Sequence, residues 1–310
     1  MTIRLTVDRD RWWRHASDVA TSVDGLVPVV KGNGYGFGRV NLAAAAARLS
    51  AIIAVGTIHE LDGVPDDVTT VVLTPTLTPP ALTPSAGTGP VLTVGSRHHL
   101  DALGGWGGRV VVKLESPMRR YGGSLGLVAE AQRAGLRTVG VAIHPPLAGS
   151  DEQRLGFITE QLPHIDPTLD VWLSHLSPGA YEMLPDTHRY KLRVGSYLWH
   201  GDREAIRLEA QVLDTREARA GSTAGYRLRT IEHDATIVMI GAGSAAGVAP
   251  LPDGRSPFHF ARRRLELVEP PHMHTSMALV PSGDPCPDVG DWVDLQRPLT
   301  MTSVDEIRWT

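Results

Sequence analysis

The sequence predicts an α/β + β architecture, a (β/α)8 TIM-like barrel followed by a C-terminal all-β domain. Three observations predict it. Apolar, largely β-branched runs of strand length recur along the 310-residue chain as far as about Leu198. The segments between them are long enough for helices or short crossovers. After about Asp202 the texture changes: short strand-like runs follow one another between turns, and no helical period persists.

Eight runs carry the first part: Leu26–Lys31, Ala51–Gly56, Thr70–Thr74, Val91–Val94, Val110–Glu115, Val139–His144, Leu169–Leu176 and Leu192–Leu198. Near-continuously apolar strands that alternate with helices belong to a parallel sheet covered on both faces. A doubly wound open sheet is the alternative arrangement. Helices are expected over Asn41–Leu49, where alanine dominates, and over Arg97–Leu103, Gly126–Ala134 and Asp151–Leu162, the last capped by Asp151. The Thr76–Pro84 crossover is too proline-rich for a long helix. In the second part, strands are expected over Arg207–Leu213, Ala224–Arg229, Ala235–Ile240, Phe258–Leu267, Met277–Val280 and Asp291–Leu295. The barrel is thus assigned to residues 1–204 and the β domain to 205–310. Residues 1–10 hold a strand-like Thr2–Val7 able to pair with the β domain.

A net charge of −4 argues against a nucleic-acid binder, which carries a basic face. No apolar run has the length of a membrane span, and the N-terminus lacks a signal-peptide core. One cysteine, Cys286, leaves no internal disulfide. The expectation is a cytoplasmic enzyme with a small-molecule substrate, without nucleic-acid or membrane partners.

The chemistry concentrates in Leu26-Val-Pro-Val-Val-Lys31-Gly-Asn-Gly-Tyr35-Gly-Phe-Gly38. A lysine that ends a buried strand ahead of a glycine-rich loop sits where α/β enzymes place reactive groups. Its amine suits a Schiff base, and a solvated strand-end lysine is the plainer reading. The loop suits a phosphate cradle or a sharp turn, and it spells neither a P-loop nor a dinucleotide fingerprint. In Val110-Val-Val-Lys113-Leu-Glu115-Ser-Pro-Met118-Arg119-Arg120-Tyr121, Lys113 and Glu115 share a strand face. Arg120 is a candidate partner for them, against an edge-exposed charge pair.

These stretches resemble the alanine racemase family of fold-type III pyridoxal 5'-phosphate (PLP) enzymes. Val29–Gly38 is similar to its PLP-lysine signature, Lys113–Gly122 to its Lys-x-Asp-Thr-Gly-Met-x-Arg-x-Gly segment, and Leu192–Tyr197 to its Val-Arg-Pro-Gly-Ile-x-x-Tyr segment, in family order. The resemblance implies a PLP-dependent isomerase, racemase-like, in amino-acid metabolism. It would be homodimeric, with its site shared between chains. Lys31 would carry PLP and act as one proton-transfer base. Tyr35, Ser177, Gly195 and Ser196 would reach the phosphate, Arg193 the pyridine nitrogen, and Arg120 the ring oxygen and the substrate. Lys113 matches the family's often carbamylated lysine. His144 and His175 fall at two strand ends that border the ring. No metal is implied.

The departures lie in the β domain. The family's second base is a tyrosine, and Ala242 occupies its place. The substrate-facing Met-Asp pair becomes Met273-His274. His272 and His274 are candidate stand-ins for the missing base, or residues of a solvent-facing loop. Tyr226 matches a structural tyrosine. Three outcomes follow from the resemblance: racemisation with a histidine as second base, another PLP reaction such as decarboxylation or elimination, or PLP binding without turnover.

Overall fold

The computed structural model describes residues 2–81 and 89–310. Two compact units emerge, Trp13–Gly201 and a second composed of Met1–Trp12 with Asp202–Thr310.

The chain begins with β1 (Ile3–Val7) and α1 (Arg9–Ser22), followed by β2 (Leu26–Pro28), α2 (Arg39–Ala47), β3 (Ile52–Val55), β4 (Thr69–Val72), β5 (Val91–Val94), α3 (Arg97–Ala102) and β6 (Arg109–Lys113). Next come α4 (Gly126–Arg133), β7 (Arg137–Ala142), α5 (Asp151–Gln161), β8 (Asp170–Ser174), α6 (Pro178–Glu182), β9 (Tyr190–Val194) and α7 (Ser196–His200). Strands β2 to β9 form one parallel sheet of eight in the order β2-β9-β8-β7-β6-β5-β4-β3. Its ends meet: Val29 bridges Ala54, and the Val30 amide donates to the Ala54 carbonyl at 2.8 Å. Closure excludes the doubly wound alternative and leaves no sheet edge unpaired. Central strand residues such as Val27, Ala54, Val72, Val94, Val112, Val141 and Leu173 are fully buried, as parallel strands under helices require.

Three sequence expectations need correction in this unit. Helix α1 was not anticipated, because arginines and aspartates crowd its apolar stripe. The stripe is there, with Trp12, Ala16 and Val19 buried at helical spacing, and Asp8 accepts from the Arg11 amide at 3.0 Å to start the helix. The Leu192–Leu198 run is a strand only to Val194, and Gly195 turns it into α7. Helix α5 is capped by Ser150, not Asp151: Ser150 and Gln153 exchange side-chain bonds in a capping box. Part of the Thr76–Pro84 crossover lies outside the described residues.

The second unit holds β10 (Ile206–Ala218), β11 (Thr223–Ala224), β12 (Arg229–Thr230), β13 (Ala235–Ile240), β14 (Phe258–Phe260), β15 (Arg263–Arg264), β16 (Glu266–Leu267), β17 (Ser276–Pro281), β18 (Trp292–Leu295) and β19 (Glu306–Trp309). β10 organises it, pairing antiparallel with β1, β18 and β13 in turn, with a bulge between Val212 and Asp214. β1 also pairs in parallel with β19, so residues through Trp12 group with this unit rather than with the barrel. The expected Ala224–Arg229 strand is instead the turn between β11 and β12, where Leu228 adopts a positive φ of 48°. Phe258–Leu267 breaks into β14, β15 and β16, and β19 was not anticipated.

Candidate active site

The barrel strands deliver their side chains at the carboxyl ends, where the parallel ladder stops. Lys31 follows β2 there. Its loop turns back in a tight turn over Gly34–Gly36: the Gly34 amide donates to the Lys31 carbonyl at 3.2 Å, and the Asn33 side chain accepts from the Gly36 amide. Only glycine fits position 34, with φ of 64° and a Cβ that would lie 2.5 Å from the Arg39 amide nitrogen.

Around Lys31 the cations collect. Burial and the neighbouring charges of Arg120 and Arg193 lower the pKa of the Lys31 amine. Lys113, at the end of β6, is 2% exposed and its amine is pulled down to about 8, by burial first and then by Arg120 and Arg193. Its Nζ donates to the Arg120 carbonyl at 2.9 Å and lies 4.2 Å from the Tyr121 ring centroid. Of the two readings of Lys113, the edge-exposed pair with Glu115 is not formed, since Glu115 is exposed beyond the strand, and Arg120 is the partner through its backbone rather than its charge. Arg193 donates from Nε to the Leu173 carbonyl at 3.1 Å and from Nη2 to Ser174 Oγ at 3.4 Å. Burial lowers its guanidinium to about 10, still charged at neutrality.

His144 occupies the middle of this group. Nδ1 lies 3.4 Å from Arg193 Nη2 and contacts Ser174 Oγ, and Nε2 lies 3.5 Å from Arg120 Nη2. The two guanidiniums can only donate to the ring, whereas the Ser174 hydroxyl can also accept its N–H. Burial and the flanking cations push the ring down to about 2, so His144 is neutral. His175 packs against it with ring centroids 4.5 Å apart and bonds through Nδ1 to the Pro145 carbonyl.

One carboxylate offsets these cations. Glu60 accepts from the amides of Gly32 at 3.2 Å and Gly56 at 2.7 Å, and its charge raises the Lys31 pKa. Tyr35 is buried, its hydroxyl pushed up to about 12 by desolvation. That hydroxyl occupies the space of an absent side chain: a Cβ on Gly195 would lie 2.1 Å from it. His200 bonds the Tyr35 carbonyl at 2.8 Å.

The backbone here is held under strain. Among the described residues seven non-glycines have positive φ, and four of them border the site: Tyr35 (54°), Arg119 (49°), Tyr121 (22°) and His175 (65°). The cluster of Lys31, Lys113, Arg120 and Arg193 around a neutral imidazole, with Glu60 as counter-charge, suits a ligand with several negative charges.

The structure thus brings together Lys31, Lys113, Arg120, His144, His175 and Arg193, and sets Tyr35 against Gly195. Ser196 is exposed at the first turn of α7. Ser177 is otherwise engaged: its hydroxyl caps α6 by accepting from Ala180 and bonds Asp151. His272, Met273 and His274 belong to the other unit. There His272 Nε2 is 2.7 Å from Glu269 Oε1, whereas Met273 and His274 are exposed. Ala242 is fully buried, and its carbonyl accepts from Ser276 Oγ at 2.6 Å. Sequence reasoning missed Glu60, Ser174 and His200. Glu60 follows the end of β3 by five residues, a signal too short to stand out. Ser174 and His200 were marked only by their nearness to His175 and Ser196.

A family profile described as "Alanine racemase, N-terminal domain" matches residues 7–202, over half of the chain. No curated protein sequence matches. Among solved structures, the alanine racemase of Bartonella henselae with covalently bound pyridoxal phosphate is 20% identical, with a TM-score of 0.75 over 99% of each chain. The alanine racemase of Bacillus anthracis with bound L-Ala-P is 20% identical, TM-score 0.75, over 95% of this chain and 85% of that one. The enzyme of the D-cycloserine producer Streptomyces lavendulae is 18% identical, TM-score 0.73, over 100% and 97%. At such identities the likeness speaks to fold, a barrel with a C-terminal β domain. Taken with the profile match across the barrel, this chain belongs to the alanine racemase family of fold-type III pyridoxal-phosphate proteins.

Proposed function

We propose that this protein is a PLP-dependent amino-acid racemase-like enzyme that moves a proton at the Cα of its substrate. The observation that carries the reading is the gathering of Lys31, Lys113, Arg120 and Arg193 about the one carboxylate of Glu60, with the Lys31 amine partly desolvated. That donor set fits pyridoxal phosphate, whose phosphate, ring oxygen and substrate carboxylate need several fixed positive charges. The Gly195 cradle filled by the Tyr35 hydroxyl fits it too, at the place where the resemblance puts the phosphate.

Lys31 would hold the cofactor through its amine. Tyr35 with the backbone at Gly195 and Ser196 would take the phosphate, Arg193 the pyridine nitrogen, and Arg120 the ring oxygen and substrate carboxylate. The engaged hydroxyl of Ser177 weighs against a phosphate role for it. When bound, pyridoxal phosphate supplies electron withdrawal that acidifies the Cα–H bond. Arg193, charged and braced on carbonyls, would discourage protonation of the ring nitrogen. Neutral His144 adds no charge beside the ring. Lys31, its pKa lowered, is poised to exchange a proton on one face. A proton on the other face calls for a second base, and His272 is our choice over the exposed His274, supplied from the β unit of a second copy in a homodimer. The depressed Lys113 amine is suited to carbamylation, which would turn one cation into an anion beside Arg120.

Ala242 in the tyrosine's place favours a second reading, a PLP reaction at one face such as decarboxylation or elimination. The test loads the protein with pyridoxal phosphate, reduces it with borohydride, and seeks a pyridoxyl adduct on Lys31 by mass spectrometry. Loaded protein is then incubated with L-alanine in deuterated water. Deuterium at Cα with inverted chirality supports racemisation, deuterium with retained chirality supports the second reading, and no adduct removes both.

A further inference from the structure

Within the β unit a buried carboxylate grips a histidine. Glu269 follows β16, and its side chain is 7% exposed. Oε1 accepts from the Tyr226 amide at 2.8 Å and from His272 Nε2 at 2.7 Å, and Oε2 accepts from the Arg227 amide at 3.2 Å. Room for this carboxylate exists because position 225 is glycine: a Cβ there would lie 2.6 Å from Oε1. The hydrogen bonds received from His272 and the two amides overcome burial and hold the Glu269 pKa below the usual carboxylate range, so it is an anion. The Tyr226 ring covers His272 at 4.6 Å between centroids, and His272 is anchored by its own amide on the Thr275 carbonyl at 2.9 Å. A carboxylate only accepts, so it places the imidazole proton on Nε2. The other nitrogen, Nδ1, has no hydrogen-bond partner among the described residues.

We propose that Glu269 is a positioning residue that fixes His272 as the Nε2–H tautomer and so presents Nδ1 as the proton acceptor and donor for the second face of the substrate carbon. This rests on the reading of His272 as the second base. In the step, Nδ1 takes the Cα proton, the C–H electron pair stays with carbon, and the imidazolium is balanced by Glu269. The reverse direction returns the proton from the same nitrogen.

Two measurements test it. In protein labelled with 15N-histidine, without cofactor, the His272 ring of the wild type should report Nε2–H with an unprotonated Nδ1, and Glu269→Gln should shift it toward a mixture. An Nδ1–H ring in the wild type, or a ring unchanged by Glu269→Gln, overturns the positioning role, and the wild-type reading needs no variant to fold. In pyridoxal-phosphate-loaded protein, Cα exchange in deuterated water is followed from L-alanine and D-alanine separately. Glu269→Gln should slow exchange from one enantiomer by roughly 10²-fold in kcat with KM little changed, and His272→Ala should slow the same enantiomer. Loss of that exchange in His272→Ala with Glu269→Gln at wild-type rate overturns the proposal alone. Exchange intact in His272→Ala overturns the second-base reading and, with it, the catalytic use of the pair.

Discussion

The ammonium of Lys113 donates to the main-chain oxygen of Arg120 at 2.9 Å, so these two cations are joined through a carbonyl rather than separated by a carboxylate. The Arg120 loop thereby anchors on a buried amine that is held down to about 8.

That anchor has a signature in stability. Between about 8 and 10.5 the unfolded chain keeps a proton at Lys113 that the folded chain has released. Stability from this group therefore rises with pH across that window, by roughly 3 kcal/mol. Urea titrations of cofactor-free protein in CO2-free buffer at several pH values should show the rise, and Lys113→Met should flatten it. Equal slopes for the two proteins would contradict the buried amine.

His144 makes the opposite end of the pH scale informative. From about 6.5 down to about 2 the unfolded chain binds a proton at this ring and the folded chain does not. Stability should fall as the pH drops through that window. Melting curves from pH 7 to pH 4.5 should show a shallower decline for His144→Gln. A ring whose 15N shifts report imidazolium at pH 5 would contradict the neutral assignment.

Glu60 supports the charge on Lys31. Glu60→Gln keeps an acceptor for the Gly32 and Gly56 amides but removes the anion. The Lys31 pKa should then fall further, because the charge that raises it is gone. Labelling of Lys31 by acetic anhydride against pH, read by mass spectrometry in cofactor-free protein, measures it. A rise would reverse the assigned sign.

Gly195 leaves room for the Tyr35 hydroxyl. Gly195→Ala sets a methyl 2.1 Å from it and must displace the ring or the start of α7. The expected cost is about 1–3 kcal/mol in stability and weaker binding of pyridoxal phosphate, read by its visible absorption on titration. Unchanged binding would free the phosphate role from this corner.

The cap of α5 offers a control away from the site. Ser150→Ala loses the bond to the Gln153 amide and should lower unfolding free energy by about 1 kcal/mol, with cofactor binding unchanged.

Much of the barrel was legible because buried parallel strands must be apolar nearly throughout. Runs such as Val91–Val94 carry that requirement openly. Helix α1 was obscured because its stripe of Trp12, Ala16 and Val19 is diluted by charge, and α7 because Leu198 and Trp199 are as apolar as the strand before them. Lys31 stood out as a charge ending an apolar run and Arg120 as a cation just past one, whereas Arg193 was marked only by the resemblance of Leu192–Tyr197 to a family segment. Glu60 and Ser174 did not stand out, since their roles come from spatial neighbours in other strands. The Glu269–His272 pair lies three residues apart, yet what makes it notable is the room left by Gly225 and the amides of Tyr226 and Arg227, far upstream.

The closed packing around Ala242 limits what that position can hold. Gly241 and Gly243 flank it, and a Cβ on either would strike Thr2 at 2.7 Å or the His272 carbonyl at 2.4 Å. A phenol ring introduced at position 242 would enter a spot that is 1% exposed and overpack it. A tyrosine is therefore not accommodated at position 242 by that one substitution, because the neighbours would have to give way first: this corner of the β unit is closed to large side chains.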